Sequence, residues 1–272
     1  MRTMMAVIAG LSSLLHAREA FGQESGAWAG GGFSQRGTDF EASGAVLGVI
    51  RPSVPFNISR ADISGVFSVV GGYDHEFDGG QFVGVEASLD ASEVEAGLGP
   101  VTSVGSFPRA VDILQCPPPG FPGPCIIIPG PSWMMVESQT LALNVAEDIG
   151  GSLQLKGGYD FGDTKIWLSA GVVAQSVEVS YSLPALQRVS VPAGSEATIT
   201  QLPAETRSEE ETLTGTVIGF GAEHRLTDNL SLALTYRRSD FGEVEFADTV
   251  RVSGLRLGAT SESGDISLRW RS

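Results

Sequence analysis

The sequence predicts an all-β chain folded as a transmembrane, antiparallel up-and-down β-barrel, and three observations carry that expectation. One turn unit recurs, the residues around it alternate in polarity, and the polar face of that alternation mixes glycine with charge. Residues 71–82 read GGYDHEFDGGQF and residues 157–167 read GGYDFGDTKIW. A looser copy, GAEHRLTDNLSL, begins at Gly221. Period-2 patterning on both sides of a short Asp/Gly/Asn turn is the signature of a β-hairpin. Its repetition makes the hairpin the building unit of the chain.

Each copy shows the alternation. After the first turn Val83, Val85, Ala87 and Leu89 share one face, with Gly84, Glu86, Ser88 and Asp90 on the other. Around the second, Leu153, Leu155, Ile166, Leu168 and Val172 oppose Gln154, Lys156, Lys165 and Gly171. Around the third, Ile218, Phe220, Leu232, Leu234 and Tyr236 oppose Gly219, Gly221, Glu223 and Arg237. Short connections at 77–80, 161–164 and 227–229 alternate with long ones near 41–64, 97–139, 184–211 and 247–262. Three short turns and four long loops join eight strands, near 26–40, 64–77, 81–96, 140–161, 164–182, 212–226, 230–246 and 259–271. Ten strands is the alternative, if VRVSGLRL at 250–257 pairs on its own.

The polar face decides what surrounds the strands. Glycine weakens a solvent-exposed strand, whereas a narrow barrel interior needs small residues opposite long ones. If Leu226 pairs with Leu230, Arg237 falls opposite Gly219 and Thr235 opposite Gly221. Large then meets small, which favours apolar-out and polar-in, the pattern of a membrane barrel. A soluble β-sandwich with an apolar core is the competing reading. Aromatics near the strand ends fit girdles at the two membrane interfaces: Trp28, Tyr73, Phe77, Tyr159, Phe161, Tyr181, Tyr236 and Trp270. In a barrel with short turns on one side and long loops on the other, the short side is periplasmic and the long side extracellular.

Composition agrees. The chain has 272 residues, a formal net charge of −15 and 42% hydrophobic residues, so it is neither disordered by composition nor built for nucleic acid. Residues 1–22 read as a secretory signal peptide: Arg2, an apolar run from Met4 to Leu15, then Ala20-Phe21-Gly22, with cleavage after Ala17 as the second option. Residues 23–272 form the barrel domain. Cys116 and Cys125 bracket the Pro-rich CPPPGFPGPC, and in an exported chain they are expected to form a disulfide.

On these residues the chain resembles the small eight-stranded outer-membrane barrels that include the OmpA membrane domain, and especially the opacity-type porin-like surface proteins of Gram-negative bacteria. The carrying stretches are Gly71-Gly72-Tyr73-Asp74, Gly157-Gly158-Tyr159-Asp160-Phe161, and GFGAEHRLTDNLSLALTYRRSDFG at 219–242. The closing Asp265-Ile-Ser-Leu-Arg-Trp-Arg-Ser272 resembles the last strand of that family, whose terminal aromatic is read by the barrel-assembly machinery. The resemblance implies an outer-membrane location, contact with membrane lipid and lipopolysaccharide, a monomer, and an extracellular ligand bound through the loops.

The polar face puts Glu86, Lys156, Glu223, Arg237, Asp265 and Arg269 in the lumen, where buried charges need partners. Such a network either fills the barrel or gates a narrow water path. Outer-membrane enzymes use a histidine near the outer leaflet; here His75 and His224 flank short turns and His16 lies in the signal. No general base is therefore expected on the loop side, and neither catalytic residues, cofactor nor metal is assigned. Two functions remain open: a barrel anchoring extracellular loops for surface interaction, or a small porin for ions or solutes.

Overall fold

The computed structural model describes residues 25–46, 54–109, 112–115, 126–129, 133–184, 186–190, 198–249 and 252–271. The expected signal peptide and both cysteines lie outside them. Twelve strands are described: β1 (Ser25–Val46), β2 (Val54–Glu76), β3 (Gln81–Arg109), β4 (Asp112–Gln115), β5 (Ile126–Pro129), β6 (Trp133–Asp160), β7 (Thr164–Leu183), β8 (Leu186–Ser190), β9 (Thr198–Leu202), β10 (Glu205–Arg225), β11 (Leu230–Glu245) and β12 (Val252–Arg271). Eight of them close into one antiparallel ring in the order β1-β12-β11-β10-β7-β6-β3-β2, each beside its sequence neighbour in that set. The pairs β4-β5 and β8-β9 are separate small hairpins between long strands, with Gln115 opposite Ile126 in the first.

The three short turns sit at one end with both ends of the ring's chain, where Ser25 pairs with His75 and Trp28 with Arg271. Gly79, Gly80 and Gly162 hold φ values of 102°, 85° and 99°, which residues with a Cβ rarely adopt. In the third turn the Leu226 amide donates to the Leu230 carbonyl at 2.8 Å. That bond fixes the register: Gly219 lies opposite Arg237 and Gly221 opposite Thr235.

In the half of the ring near these turns, called lower here, the polarity is inverted relative to a soluble protein. Ile166, Leu168 and Val172 of β7 point outward, as do Val83 and Val85, Leu153 and Leu155, Ile218 and Phe220, and Ile266 and Leu268. Leu168 is 71% exposed and Leu155 70%, while Lys156, next to Leu155, and Arg269, next to Leu268, are buried. The outward apolar run from Ile166 to Ala174 spans about 27 Å of strand, or about 20 Å of height at a tilt near 40°, close to the apolar band of a membrane barrel. Among the described residues no helix could cross a membrane; the strands do so instead. The chain is a transmembrane β-barrel.

The upper half departs from the expected pattern. The segments expected as long loops continue as strand, with ladders running up to Val46↔Val54, Arg109↔Trp133, Leu183↔Glu205 and Glu245↔Arg256. Residues 252–257 extend the last strand rather than adding a new pair, so the ten-strand alternative falls. Here the apolar residues turn inward. Phe40, Leu98, Leu143, Val177, Val179, Leu183, Leu213, Phe241, Leu255 and Leu257 form one buried cluster, while Asp39, Glu41, Glu178, Glu210, Asp240 and Glu262 face outward on the same strands. Water has replaced lipid as the surroundings, and the ordinary inside-out rule returns.

The ring also ceases to be closed. The β2-β3 ladder stops at Val66↔Ser92, and the β10-β11 ladder at Gly215↔Phe241. Above those levels the described residues form two four-stranded sheets, β11-β12-β1-β2 and β3-β6-β7-β10, facing each other across the shared apolar cluster. Bulges at Ala91/Val94, Glu147/Gly150 and Phe241/Val244 lie near the same level. A bulge adds a residue on one strand and reverses which face follows. On β6 this lets an unbroken odd-numbered series serve both halves: Ile149, Leu153 and Leu155 point out, whereas Leu141, Leu143 and Val145 point in.

Candidate functional site

The lower lumen holds one continuous charge network. Glu86, on β3, is its centre: Arg237 Nη2 lies 3.0 Å from Oε1, Arg269 Nη2 lies 3.1 Å from Oε2, and Lys156 Nζ stands 4.0 Å away. Lys156 binds Asp74 more closely, at 2.8 Å. Glu223 accepts from Arg269 at 3.4 Å, from Arg271 at 3.2 Å and from the Ser231 hydroxyl at 2.6 Å. Asp265 lies 3.8 Å from Arg237 Nε. All six lumen charges expected from the alternation are thus placed within one set of contacts. Register sharpens two of them: Lys156 lies opposite Gly84 and Glu86 opposite Gln154, so the Lys156–Glu86 contact is diagonal. Arg237 and Arg269 do not sit side by side but meet on the shared Glu86 carboxylate.

The network is larger than the alternation alone suggested. Asp74 and Glu76 of β2, Lys165 of β7 and Arg271 of β12 close its lower end, with Lys165 bonded to Glu76 and 3.3 Å from Asp160. Higher up, Arg36 pairs with Asp90 at 2.5 Å and reaches Gln175 at 3.2 Å and Glu147 at 4.0 Å. Between these two groups Ser88, Ser152, Gln154 and Ser169 form a hydrogen-bonded string of 2.8 Å contacts. Parity on β1 and β2 pointed to Arg36 and Asp74 in the same way as the residues chosen from the other strands. The residual space lined by Arg36, Asp90, Ser152, Arg237 and Ser263 amounts to about 10 Å³, room for one water at most.

Two indoles complete the filling. Trp28 is 3% exposed and lies under Lys156 at 4.3 Å and Arg269 at 4.2 Å; Trp167 faces the same cations at 5.4 and 5.0 Å. A Cβ on Gly72 would run into the Trp28 ring, and one on Gly221 into the Trp167 ring. Trp28 is therefore a lumen residue, and its assignment to the membrane girdle is corrected. The cause is position in the ladder: Trp28 shares the inward face with Gly30 and Ser34, and desolvated cations find a π surface there.

One more girdle assignment changes. Tyr181 is buried in the upper apolar cluster, its hydroxyl donating to Glu205 at 3.0 Å. Tyr236 faces outward against Phe220 at 5.4 Å, with the exposed Arg238–Glu262 pair next above it, so it stands at the upper margin of the apolar face. At the short-turn end Tyr159 and Phe161 pack at 4.7 Å, Phe77 meets His75 edge-on at 4.8 Å, Tyr73 is half-buried and Trp270 is 59% exposed. His224 accepts or donates a 3.0 Å bond with Thr164 at the same end.

Among the described residues no cluster of His, Cys, Asp and Glu is arranged to hold a metal. No protein-family model matches the chain, and neither does any curated protein. Solved structures do. The attachment invasion locus protein Ail of Yersinia pestis is similar at 10% identity over 91% of this chain and 99% of its own, with a TM-score of 0.31. The outer membrane protease OmpT of Escherichia coli is similar at 10% identity over 94% and 100%, with a TM-score of 0.37. Neisserial surface protein A matches at 14% identity over 86% and 96%, with a TM-score of 0.26. At such identities and scores none of them lends this chain an activity. What the chain's own ladders and faces establish is a small eight-stranded membrane β-barrel, charged within and apolar without in the half near its short turns.

Proposed function

We propose that the protein is a solute-tight outer-membrane barrel that anchors an extracellular β-structure for surface interaction, and that it is not an enzyme. The observation that carries this reading is closure at two heights by two kinds of chemistry. The lower lumen is filled by paired charges and two indoles, and the upper by an apolar core. Water crossing the barrel would have to break the first and wet the second. Export by a signal peptide cleaved between Ala17 and Gly22, insertion by the barrel-assembly machinery and a monomeric state in lipid and lipopolysaccharide belong to the same reading. Placement of His75 and His224 beside the short turns supports the absence of catalysis, since that end faces away from extracellular substrates. A small porin is the second reading, favoured by the succession of polar groups that lines the lumen from Glu223 up to Arg36.

Conductance in planar bilayers separates the two. Purified wild-type barrel and Lys156→Met are each expected to leave the membrane sealed, because loosening the lower layer leaves the apolar layer in place. Stable single-channel steps from the wild type would overturn the anchor in favour of the porin.

A further inference from the structure

The upper seams leave strand edges without partners, and they are not equivalent. At the β2-β3 seam the edge is guarded: Pro55 removes a donor, and Arg60 Nη1 crosses the gap to the Gly97 carbonyl at 2.5 Å. Prolines and long cations on an edge are how strands are kept from pairing with strangers. At the β10-β11 seam β11 bulges between Phe241 and Val244 and then follows β12, with Val244 opposite Leu257. Strand β10 meanwhile runs straight on, held on its other side by an unbroken ladder from Gly215↔Val173 to Glu205↔Leu183. Residues 205–214 therefore present ten residues of extended backbone with one side unpaired among the described residues.

The chemistry of this edge is one-sided. Glu205, Glu209, Glu210 and Glu211 lie on it and Glu178 stands on the neighbouring strand, against Arg207, which is engaged with Glu209. Glu210 accepts from Ser176 at 2.9 Å, and it and Glu211 remain exposed. Two copies pairing edge to edge about Glu210 would set carboxylates against carboxylates, which disfavours self-association. A strand carrying Lys or Arg at alternate positions would meet the opposite sign. The edge lies above the outward Ile218 and Phe220 and so beyond the apolar band, open to the extracellular side.

We propose that the β10 edge from Glu205 to Thr214 is a docking site for an extended basic segment of a partner protein, which adds to the β3-β6-β7-β10 sheet as a fifth strand. Main-chain hydrogen bonds would supply the binding, and the glutamates the selection by charge. This assignment of a partner class rests on the surface-interaction reading above.

The test uses the full chain in lipid nanodiscs and a synthetic ten-residue peptide alternating Lys with Thr and Val. Controls are an acidic peptide of the same pattern and a basic peptide N-methylated at alternate residues. Expected results are binding of the basic peptide, protection of the 205–214 amides from hydrogen exchange, and at least a tenfold loss of affinity for both controls. The surface variant Glu209→Gln/Glu210→Gln/Glu211→Gln should lose a similar factor while keeping its heat-modifiable gel mobility. Equal binding of the N-methylated peptide would reduce the site to a charged surface and overturn the proposal. So would protection that appears on β2 instead, absence of binding at millimolar peptide, or dimers formed through this edge. Conductance measured on the same preparation keeps the two ideas apart: a conducting barrel that binds the peptide sinks the anchor alone, and a sealed barrel that does not bind it sinks the docking edge alone.

Discussion

Arg237 stands directly opposite Gly219 on adjacent strands, and its guanidinium extends over that gap to Glu86, 3.0 Å away. The missing side chain at 219 is what lets the long one lie down. A Cβ at Gly219 would come within 2.8 Å of the Ser169 hydroxyl and 2.9 Å of the Tyr236 carbonyl. Gly219→Val is therefore expected to overpack the lumen and cost about 1–3 kcal/mol. Urea unfolding in lipid vesicles measures it, and wild-type stability would show that the lumen has slack at this level.

Glu86 neutralises three cations at once, so its loss should be felt more than that of any one of them. Glu86→Gln leaves Arg237 and Arg269 short of a buried counter-charge and is expected to cost about 3–5 kcal/mol. The same unfolding assay, with Glu262→Gln as a surface control because its pair with Arg238 is more than half exposed, should show well under 1 kcal/mol for the control.

The inversion of polarity along a single strand predicts opposite tolerances at two heights of β7. Leu168→Arg places a charge in the lipid band and should cost about 2–4 kcal/mol. Val177→Asp, only nine residues further, should be costly for the contrary reason, because it buries a carboxylate in the apolar core. Glu178→Leu, next to it on the outward face, meets water and should be nearly neutral. Equal effects of charge on inward and outward positions of the upper half would contradict the two-sheet core.

The tryptophans report the faces without any change in stability. In variants keeping one tryptophan, brominated lipid should quench Trp270 strongly and Trp28 hardly at all, since one faces lipid and the other lies beneath Lys156 and Arg269. Strong quenching of Trp28 would return it to the girdle.

At the guarded seam, Arg60→Ala should raise amide exchange in 54–65 and in the facing part of β3 while changing global stability by less than about 1 kcal/mol. Unchanged exchange would mean that the Arg60–Gly97 bond does not hold the seam.

What the sequence determined by itself was local. Turn chemistry placed the three short hairpins, and the Leu226–Leu230 closure carried the register to Gly219↔Arg237 without any long-range information. Alternation sorted Glu86, Lys156, Glu223, Arg237, Asp265 and Arg269 onto one face, because a strand has only two faces and glycine marks the crowded one. The tertiary structure decided what each face meets. Alternation is the same in lipid and in water, so Leu153 and Leu143 carry one sequence signal and point in opposite directions once the bulge at Glu147/Gly150 intervenes. Glycine, proline and acid made 41–64 and 184–211 read as loops, yet opposite strands that bury Val177, Val179 and Leu213 against Phe40 and Leu257 hold much of them as sheet. Trp28 looked interfacial from its place near the chain end and became internal only when ring closure set it beside Arg269 of the last strand. Closure is a relation between residues more than 240 positions apart, and the lumen, the seams and the free edge of β10 exist only through it.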